Sequence, residues 1–279
     1  PRERPSVFIP IGDLPTGPGP IVPAAVRAPR ITGVALVASG APGVTRGHYV
    51  SIYGEGFTNT TRSWTGDDFL SNYLPGQLDN LGVTIRNAGL TYPVFISPTQ
   101  INVFVPLAGN TAIGNPEVQL STAGGEAVFA TTDPFVVSAS GSVSYFRFDP
   151  QNRKYLAAVT PGGEYLGPVA LFGPGFATRP ARAGEIVTYF ITGPGLETDG
   201  GRQLNPAPVQ IAANCPVIPQ GITASTLYYG LISPGVYQCN VRLTDNAAPG
   251  EYPMIPVLAT GPVSNVPVLG ALGYLVVSR

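Results

Sequence analysis

Very few residues in this chain are of the types that carry out catalysis. The chain has a single histidine, His48, so a serine or cysteine nucleophile that needs an imidazole base would have to use it. His48 stands two residues before Val50, at the start of a predicted strand, where a partly exposed structural histidine is the ordinary interpretation. We therefore predict no catalytic residues, no cofactor and no enzymatic activity.

The acidic residues are scattered, and Asp67 and Asp68 are the only adjacent pair. They share the loop 61–80 with Asp79, and clustered carboxylates of this kind could bind a calcium ion. Their spacing does not match a calcium-binding loop. A solvated loop is the favoured interpretation, and no metal site is predicted.

The same loop carries three aromatic residues, Trp64, Phe69 and Tyr73. Aromatic side chains on a long loop can stack on sugars or anchor a protein partner. They can equally form a small satellite core under the loop, and this interpretation is the favoured one. The loop is nevertheless kept as a candidate contact surface.

The two cysteines, Cys215 and Cys239, both lie in the second half of the chain. We predict a disulfide between them, because closing a loop of this size contributes roughly 3 to 4 kcal/mol in the chain-entropy model. A disulfide would indicate an oxidising compartment, whereas the alternative is two separate buried thiols. Two cysteines without a second kind of ligand do not make a zinc site.

The chain is poorly charged, with 11% charged residues and a formal net charge of −1. No basic patch is available for nucleic acid, and no apolar run reaches the roughly 18 residues that a membrane-spanning helix needs. So few charges are unusual for a freely diffusing domain. Burial in an assembly would explain them, and so would biased base composition combined with an uncharged polar surface.

Apolar residues fall in short β-branched and aromatic runs between glycines and prolines, which is typical of strands joined by tight turns. The order of these runs in the first half recurs in the second, which indicates an internal repeat. The repeat aligns Val50 with Val187, Ser97-Pro98 with Ser233-Pro234, Gln100 with Gln238, and Asn102-Val103 with Asn240-Val241. It also aligns Cys239 with Ile101 and brings Cys215 near Ala88, so the predicted cystine would replace an apolar contact between neighbouring strands.

We predict an all-β fold of two tandem immunoglobulin-like β-sandwiches preceded by an extended proline-rich arm. The arm covers residues 1–30, the first sandwich about 31–140 and the second about 141–279. In the second sandwich, Pro161-Gly162-Gly163 supplies the turn of a predicted hairpin.

The arm contains eight prolines, which keep it extended and exclude it from a central strand of its own domain. Its apolar residues are Val7, Phe8, Ile9, Ile11, Ile21, Val22 and Val26. One interpretation is that the arm adds a strand to a sheet edge of another copy and builds a head-to-tail polymer. A spacer to an upstream domain, or a path along its own domain, is the alternative. The first residue is Pro1 and not Met, which favours a processed product or part of a longer precursor.

Several segments resemble the Solibacter-type C-terminal domain family, which occurs in extracellular proteins of Acidobacteria and related soil bacteria. The matching segments are VSIYGEGF, SPTQINVFVP, YLAAVTPGGEYLGPVALF, TRPARAGEIVTYFITGPGL, and YQCNVRL followed by GPVSN, and they extend over roughly residues 30–278. The resemblance implies immunoglobulin-like domains of the IPT/TIG branch and an extracellular or cell-surface setting. It supplies no catalytic residues, and the arm lies largely outside it.

Two functions fit these observations. One is a structural subunit of an extracellular filament or surface layer, in which the partners are copies of this chain joined through the arm. The other is a monomeric cell-surface adhesin or carbohydrate-binding module that contacts glycans through the 61–80 loop. Both are non-enzymatic, and both place the protein outside the cell or on its surface.

Overall fold

The computed structural model describes residues 28–86, 88–106, 117–130, 143–148, 154–193, 209–210, 214–256 and 273–279. These residues form β-strands and one 3₁₀ helix, Gly66–Asp68, without an α-helix among them, so the predicted all-β fold is confirmed. No helix in this part of the chain is long and apolar enough to cross a membrane. The apolar residues of the arm lie outside the described residues, and strand exchange by them stays a prediction: Val7, Phe8, Ile9, Ile11, Ile21, Val22 and Val26.

The described part of the first half contains ten strands, which form two antiparallel sheets. The strands are β1 Arg30–Leu36, β2 Tyr49–Glu55, β3 Arg62–Ser63, β4 Gln77–Leu78, β5 Leu81–Ile85, β6 Gly89–Leu90, β7 Tyr92–Ile96, β8 Gln100–Phe104, β9 Glu117–Thr122 and β10 Gly125–Ala130. The first sheet has the order β1-β2-β8-β7-β3, and the second has the order β10-β9-β5-β4 with β6 beside β5.

The first core lies between these two sheets. Ile52 and Ile101 come from the first sheet, Val83 and Val118 come from the second, and all four are at most 1% exposed. Because successive side chains of a strand point to opposite faces, the inward-facing aliphatic residues of both sheets meet in one layer. The first half is therefore a β-sandwich.

The described part of the second half contains twelve strands. They are β11 Ser144–Tyr145, β12 Ala158–Val159, β13 Tyr165–Leu166, β14 Thr178–Arg179, β15 Ala181–Arg182, β16 Ile186–Thr192, β17 Val209–Gln210, β18 Val217–Pro219, β19 Ala224–Ser233, β20 Val236–Leu243, β21 Gly250–Pro256 and β22 Tyr274–Ser278. One sheet has the order β14-β13-β12-β16-β20-β19-β17 with β11 beside β16, and the other has the order β15-β22-β21-β18. The pairs β13–β14 and β15–β22 are parallel, and the remaining pairs are antiparallel.

The second core also lies between two sheets. Tyr189 and Cys239 belong to the first of them, Val217 and Met254 belong to the other, and all four are 0% exposed. The predicted hairpin is present as β12 and β13, and Gly163 closes its turn by donating its N–H to the carbonyl oxygen of Thr160 at 2.9 Å. The predicted boundary at residue 140 lies outside the described residues, so the exact division of the domains stays a prediction.

The register of the strands confirms the predicted repeat. Val50 pairs with Val103 between β2 and β8, and Val187 pairs with Val241 between β16 and β20. The glutamine and asparagine of the repeat form the same hydrogen bond in each half, from Gln100 Nε2 to Asn102 Oδ1 at 2.8 Å and from Gln238 Nε2 to Asn240 Oδ1 at 2.9 Å. The two halves therefore share side-chain detail as well as strand order.

Cys215 and Cys239 form the predicted disulfide, with their Cα atoms 5.9 Å apart. Cys215 lies just before β18 and Cys239 lies on β20, so the bond ties the segment that leads into β18 to the sheet that contains β20. Cys215 lies outside the strands, so the bond does not link two neighbouring strands as expected, although the N–H of Cys215 donates to Thr226 of β19, which pairs with β20. Both cysteines are at most 2% exposed, which places the cystine in the core.

The turn between β19 and β20 docks against the outer face of the first sheet. The hydroxyl of Tyr49 donates a hydrogen bond to the carbonyl oxygen of Pro234, and Val236 packs beside Tyr49 and Phe104. Gly235 has a φ of +68°, and a Cβ atom at this position would lie 2.2 Å from Cε2 of Phe104. The close contact and the left-handed backbone both require glycine here.

A second contact joins the halves at the start of β2. The hydroxyl of Thr192 donates to the carbonyl oxygen of Gly47 at 3.0 Å. His48 is fully buried because its segment runs along this junction. This corrects the expectation that His48 is partly exposed. Arg46 is 3% exposed, and burial lowers the pKa of its guanidinium.

Gly235→Ala should loosen the junction between the halves. The new Cβ atom meets Phe104 and a left-handed backbone disfavours alanine, so the free energy of unfolding in urea should fall by about 2 to 5 kcal/mol. Gly163→Ala is the matched control, because Gly163 has a φ of +86° and a Cβ atom added there would have no neighbour within 4 Å. It should lose only about 1 to 2 kcal/mol. Equal losses in the two variants would show that Phe104 does not constrain the turn.

Candidate ligand-binding cleft

The outer face of the first sheet carries aromatic side chains that are shielded from water. Tyr49, Tyr92 and Phe104 are neighbours on β2, β7 and β8, and none is more than 9% exposed. The ring centroids of Tyr49 and Phe104 are 5.4 Å apart. With Leu74 these three residues form an outer cluster, against which Val236 of the second half packs. The first sheet is thus buried on its inner face and partly covered on its outer face.

An open cleft of about 400 Å³ lies beside the outer cluster. Both halves contribute to its walls. The lining residues are Val37, Tyr49, Ser63, Trp64, Val94, Phe95 and Asn102 from the first half, and Phe146, Ser233 and Val236 from the second. Small-molecule sites commonly have volumes of about 300 to 1,000 Å³ and lie between domains, so the size and position of this cleft suit a ligand.

Strand pairing places Ser63, Phe95 and Asn102 in one row of the cleft. Ser63 is opposite Phe95 in β3–β7, and Phe95 is opposite Asn102 in β7–β8. Directly opposed residues share one face of a sheet. The Oδ1 atom of Asn102 accepts hydrogen bonds from Ser51 Oγ and Gln100 Nε2, both at 2.8 Å, which fixes the plane of the amide. An apolar ring therefore lies between a hydroxyl and an oriented amide.

Trp64 forms another part of the wall. Its backbone N–H donates to the carbonyl oxygen of Val94 at 3.1 Å, which extends the pairing of β3 with β7 by one residue. The indole packs on Phe69 with ring centroids 5.3 Å apart and ring planes inclined by 56°. Trp64 is half-buried, so these contacts hold the indole in place while part of it lines the cleft.

Arg62 fastens the loop that carries Trp64. Its guanidinium donates two hydrogen bonds to Asp68, at 2.8 and 2.9 Å, and two to Asp79, at 3.1 and 2.8 Å. The hydroxyl of Thr60 also donates to Asp79, at 2.8 Å. These bonds from Arg62 lower the pKa of Asp68 to about 2 and lower the pKa of Asp79 as well. The loop is therefore held by ion pairs, which corrects the expectation of a merely solvated loop.

The same ion pairs account for the acidic residues that could have bound calcium. Asp68 and Asp79 are both engaged by one guanidinium, whose charge opposes a bound cation. Asp67 is exposed and does not join them. In the described ranges, no group of three or more histidine, cysteine, aspartate or glutamate residues is placed to hold a metal ion.

The wall from the second half is held by backbone pairing. Phe146 donates its N–H to the carbonyl oxygen of Phe190 at 3.1 Å and accepts a hydrogen bond from the N–H of Ala157 at 2.7 Å. Ser233 and Val236 flank the turn that docks on the outer cluster. The same docking that joins the halves therefore sets the width of the cleft.

The three aromatic residues of the candidate contact loop lie in different environments. Trp64 and Phe69 pack against the outer cluster, as the satellite-core interpretation expects, and Trp64 also lines the cleft. Tyr73 is 54% exposed and does not line the cleft. The loop is thus partly a support for the first sheet and partly a wall of the cleft.

Sequence reasoning missed Phe95, Asn102 and Phe146 as cleft residues. One signal for a covered outer face was present in β8, where Phe104 is apolar on the face opposite to Val103. An antiparallel strand with one face in water alternates apolar and polar residues, whereas apolar residues on both faces indicate that both are covered. Nothing in the local sequence indicates which part of the chain provides the cover.

No model of a known protein family matches the chain, and no curated protein matches it. Among solved structures, the chain is similar to SGBP-B of the Bacteroides ovatus mixed-linkage glucan utilization locus, solved in complex with a mixed-linkage heptasaccharide. That likeness has a TM-score of 0.37 and 14% sequence identity, and it covers 90% of this chain and 46% of that chain. A second similar structure is the Escherichia coli adhesin FdeC, with a TM-score of 0.26 and 11% identity over 89% of this chain and 66% of that chain. With scores this low, neither likeness supports an argument about function.

Replacing Arg62 should release the loop that carries Trp64. Because the pKa of Asp68 and that of Asp79 are lower in the folded state than in the unfolded chain, their ion pairs stabilise the fold above about pH 4. This contribution is lost as the pH falls towards 2. Arg62→Gln should lower the free energy of unfolding by about 1 kcal/mol at pH 7, after allowance for solvent screening, and the difference from the wild type should shrink below pH 4.

The control for this prediction is Arg86→Gln. Arg86 forms an ion pair with Glu117 at 2.9 Å but is 59% exposed and follows β5 of the other sheet. Its replacement should leave the fluorescence spectrum of Trp64 unchanged, whereas Arg62→Gln should shift it. Identical spectra and pH profiles for the two variants would contradict a role of Arg62 in holding the loop.

Proposed function

We propose that this protein is an extracellular glycan-binding module, and that the cleft between its two sandwiches holds an uncharged sugar. The observation that carries this proposal is the combination of aromatic and polar groups in one open cleft. Trp64, Phe95 and Phe146 supply rings, and Asn102 and Ser63 supply an amide and a hydroxyl.

A sugar ring suits this combination because its faces and its rim differ chemically. Its C–H bonds give the ring an apolar face, and its hydroxyl groups form a polar rim. The negative face of an aromatic ring attracts C–H hydrogens, and amide and hydroxyl groups both donate and accept hydrogen bonds. A ligand could lie with its face on Phe95 while its rim reaches Asn102 and Ser63, which flank that ring.

The extracellular setting is supported by the cystine between Cys215 and Cys239. Disulfides form and persist in oxidising compartments and are rare in the cytosol. The bond is buried and crosses a sandwich core, so it is part of the folded structure. The resemblance of the sequence to the Solibacter-type domain family points to the same setting, and membership of that family is part of this proposal.

Assembly through the arm is a second candidate function. The alternation of Val7, Ile9 and Ile11 supports it, because a strand added to a sheet edge would bury this row of side chains. Electron microscopy of the full chain and of a chain without residues 1–30 tests it. Filaments that require the arm would favour assembly, whereas dispersed particles in both samples would exclude it.

Trp64 is the only tryptophan, so its fluorescence reports directly on the cleft. A titration with neutral gluco-, manno- and xylo-oligosaccharides should change the emission of the wild type with at least one series. Phe95→Ala removes one stacking ring without removing the reporter, and it should weaken binding about tenfold. Tyr73→Ala is the matched control, since Tyr73 belongs to the same loop as Trp64 but lies outside the cleft. This variant should bind like the wild type.

Calorimetry on the same samples separates binding from a change in fluorescence alone. If none of the series gives either a spectral change or heat with the wild type, the proposal is wrong. It is equally wrong if Phe95→Ala, with its fold intact by circular dichroism, binds with the affinity of the wild type.

A further inference from the structure

A second group of aromatic residues forms a ladder on the surface of the second sandwich. The aromatic ladder consists of Phe148, Tyr165, Phe172 and Phe176. Phe148 lies with its ring centroid 5.3 Å from Tyr165 and 5.4 Å from Phe172, and the centroids of Phe172 and Phe176 are 6.1 Å apart. The centroids of Tyr165 and Phe172 are also 6.1 Å apart, and all four contacts are edge-to-face, which is a favourable geometry for aromatic pairs. The ladder is therefore a defined arrangement of rings.

The ladder is exposed to an extent that its own packing does not explain. Tyr165 is 40% exposed and Phe176 is 60% exposed, while the neighbouring Val169 is 75% exposed. Isolated apolar residues are common on surfaces, but contiguous ones mark binding sites. Within the part of the chain that the structure describes, none of these rings belongs to a buried cluster.

The loop that carries Phe172 and Phe176 is held at both ends. Tyr165 of β13 pairs with Thr178 of β14, and the hydroxyl of Thr178 donates to the carbonyl oxygen of Pro168. The same hydroxyl accepts the N–H of Leu171 at 3.2 Å. One side chain thus closes the loop from inside, so a ligand would meet rings that are already positioned.

The ladder continues the cleft. Val143 and Tyr145 point into the second core, so Phe146 and Phe148 face the opposite side of the same extended segment. Phe146 lines the cleft, and Phe148 is the first ring of the ladder. The backbone of residues 146–148 pairs with that of residues 155–157, and alternate residues of an extended segment are about 7 Å apart, so the two side chains project from the same face.

The charges beside the ladder disfavour an anionic ligand. Arg179 is engaged by Glu164 at 2.7 Å and by Glu185 at 2.6 Å, so one guanidinium serves two carboxylates. Arg147, next to Phe148 in sequence, has its guanidinium carbon 5.0 Å from the ring centroid of Tyr145. Because Arg179 is already engaged by two carboxylates, it offers no unpaired positive charge to an acidic polymer, whereas an uncharged polymer with apolar faces does not need one.

We infer that the aromatic ladder extends the cleft, so that the two together bind a long, uncharged polysaccharide chain. This inference rests on the proposed function. Sugars at one end of the chain lie in the cleft, and the following sugars stack along Phe148, Tyr165 and Phe176. Each additional contact is made by a segment that is already tethered, so affinity increases with chain length.

The experiment compares short and long ligands. Neutral oligosaccharides from disaccharides to decasaccharides, of whichever series binds the wild type, are titrated by calorimetry against wild type, Phe176→Ala and Phe95→Ala. The wild type should bind the longest ligands at least about tenfold more tightly than ligands that fill only the cleft. Phe176→Ala should lose this gain and keep the wild-type affinity for short ligands, whereas Phe95→Ala should weaken both. Leu227→Ala is the control for an exposed apolar residue of the second sandwich, since Leu227 is 49% exposed, and it should change neither affinity.

The outcomes distinguish this inference from the proposed function. If short ligands bind and Phe176→Ala retains the full gain with length, the ladder does not contact the polymer, and only the inference is wrong. If no ligand of any length binds the wild type, both are wrong. If sedimentation shows that the wild type self-associates and Phe176→Ala is monomeric, the ladder is an interface between proteins, and the inference is overturned. Because Phe176 is exposed, its truncation should leave the unfolding midpoint unchanged.

Discussion

The arrangement of this molecule depends on one contact, the docking of the Pro234-Gly235 turn on the aromatic outer face of the first sheet. The turn packs on Tyr49 and Phe104, and its flanking residues Ser233 and Val236 form part of the wall that the second half gives to the cleft. Burying a large apolar side chain contributes about 1.5 to 3 kcal/mol, more than an exposed ion pair does. Apolar burial therefore joins the halves, and the hydrogen bonds from Tyr49 to Pro234 and from Thr192 to Gly47 orient one half against the other.

Ion pairs have a different role here, because they position segments that the cores do not reach. Arg62 holds the loop of Trp64 against the first sheet, and Arg179 ties the strand beside the aromatic ladder to Glu164 and Glu185. Only 11% of the residues are charged. Several of these charged residues belong to the two ion-pair clusters, which lie at the edges of the cleft and of the aromatic ladder. Rigid rings at a binding surface lose little conformational entropy when a ligand binds.

The two sandwiches keep a common framework but differ in what they add to it. The hydrogen-bonded glutamine and asparagine recur on β8 and β20, and Cys239 occupies the position of Ile101. In the first half that position is a core isoleucine, whereas in the second it is cross-linked through Cys215 to the segment that leads into β18. Asn102 lines the cleft in the first half, so one repeated polar pair supports a candidate site in only one copy.

The sequence alone determined the all-β class, the internal repeat, the hairpin at Pro161-Gly162-Gly163 and the disulfide, because each depends on local periodicity, turn chemistry or the count of a residue type. It did not determine the burial of His48, the ion pairs of Arg62 or the cleft. Those depend on which surfaces meet across long stretches of chain, and an outer-face residue such as Phe95 has the same local pattern whether water, a loop or another domain covers it. Only the tertiary structure decided that the second sandwich covers part of this face and leaves the rest open.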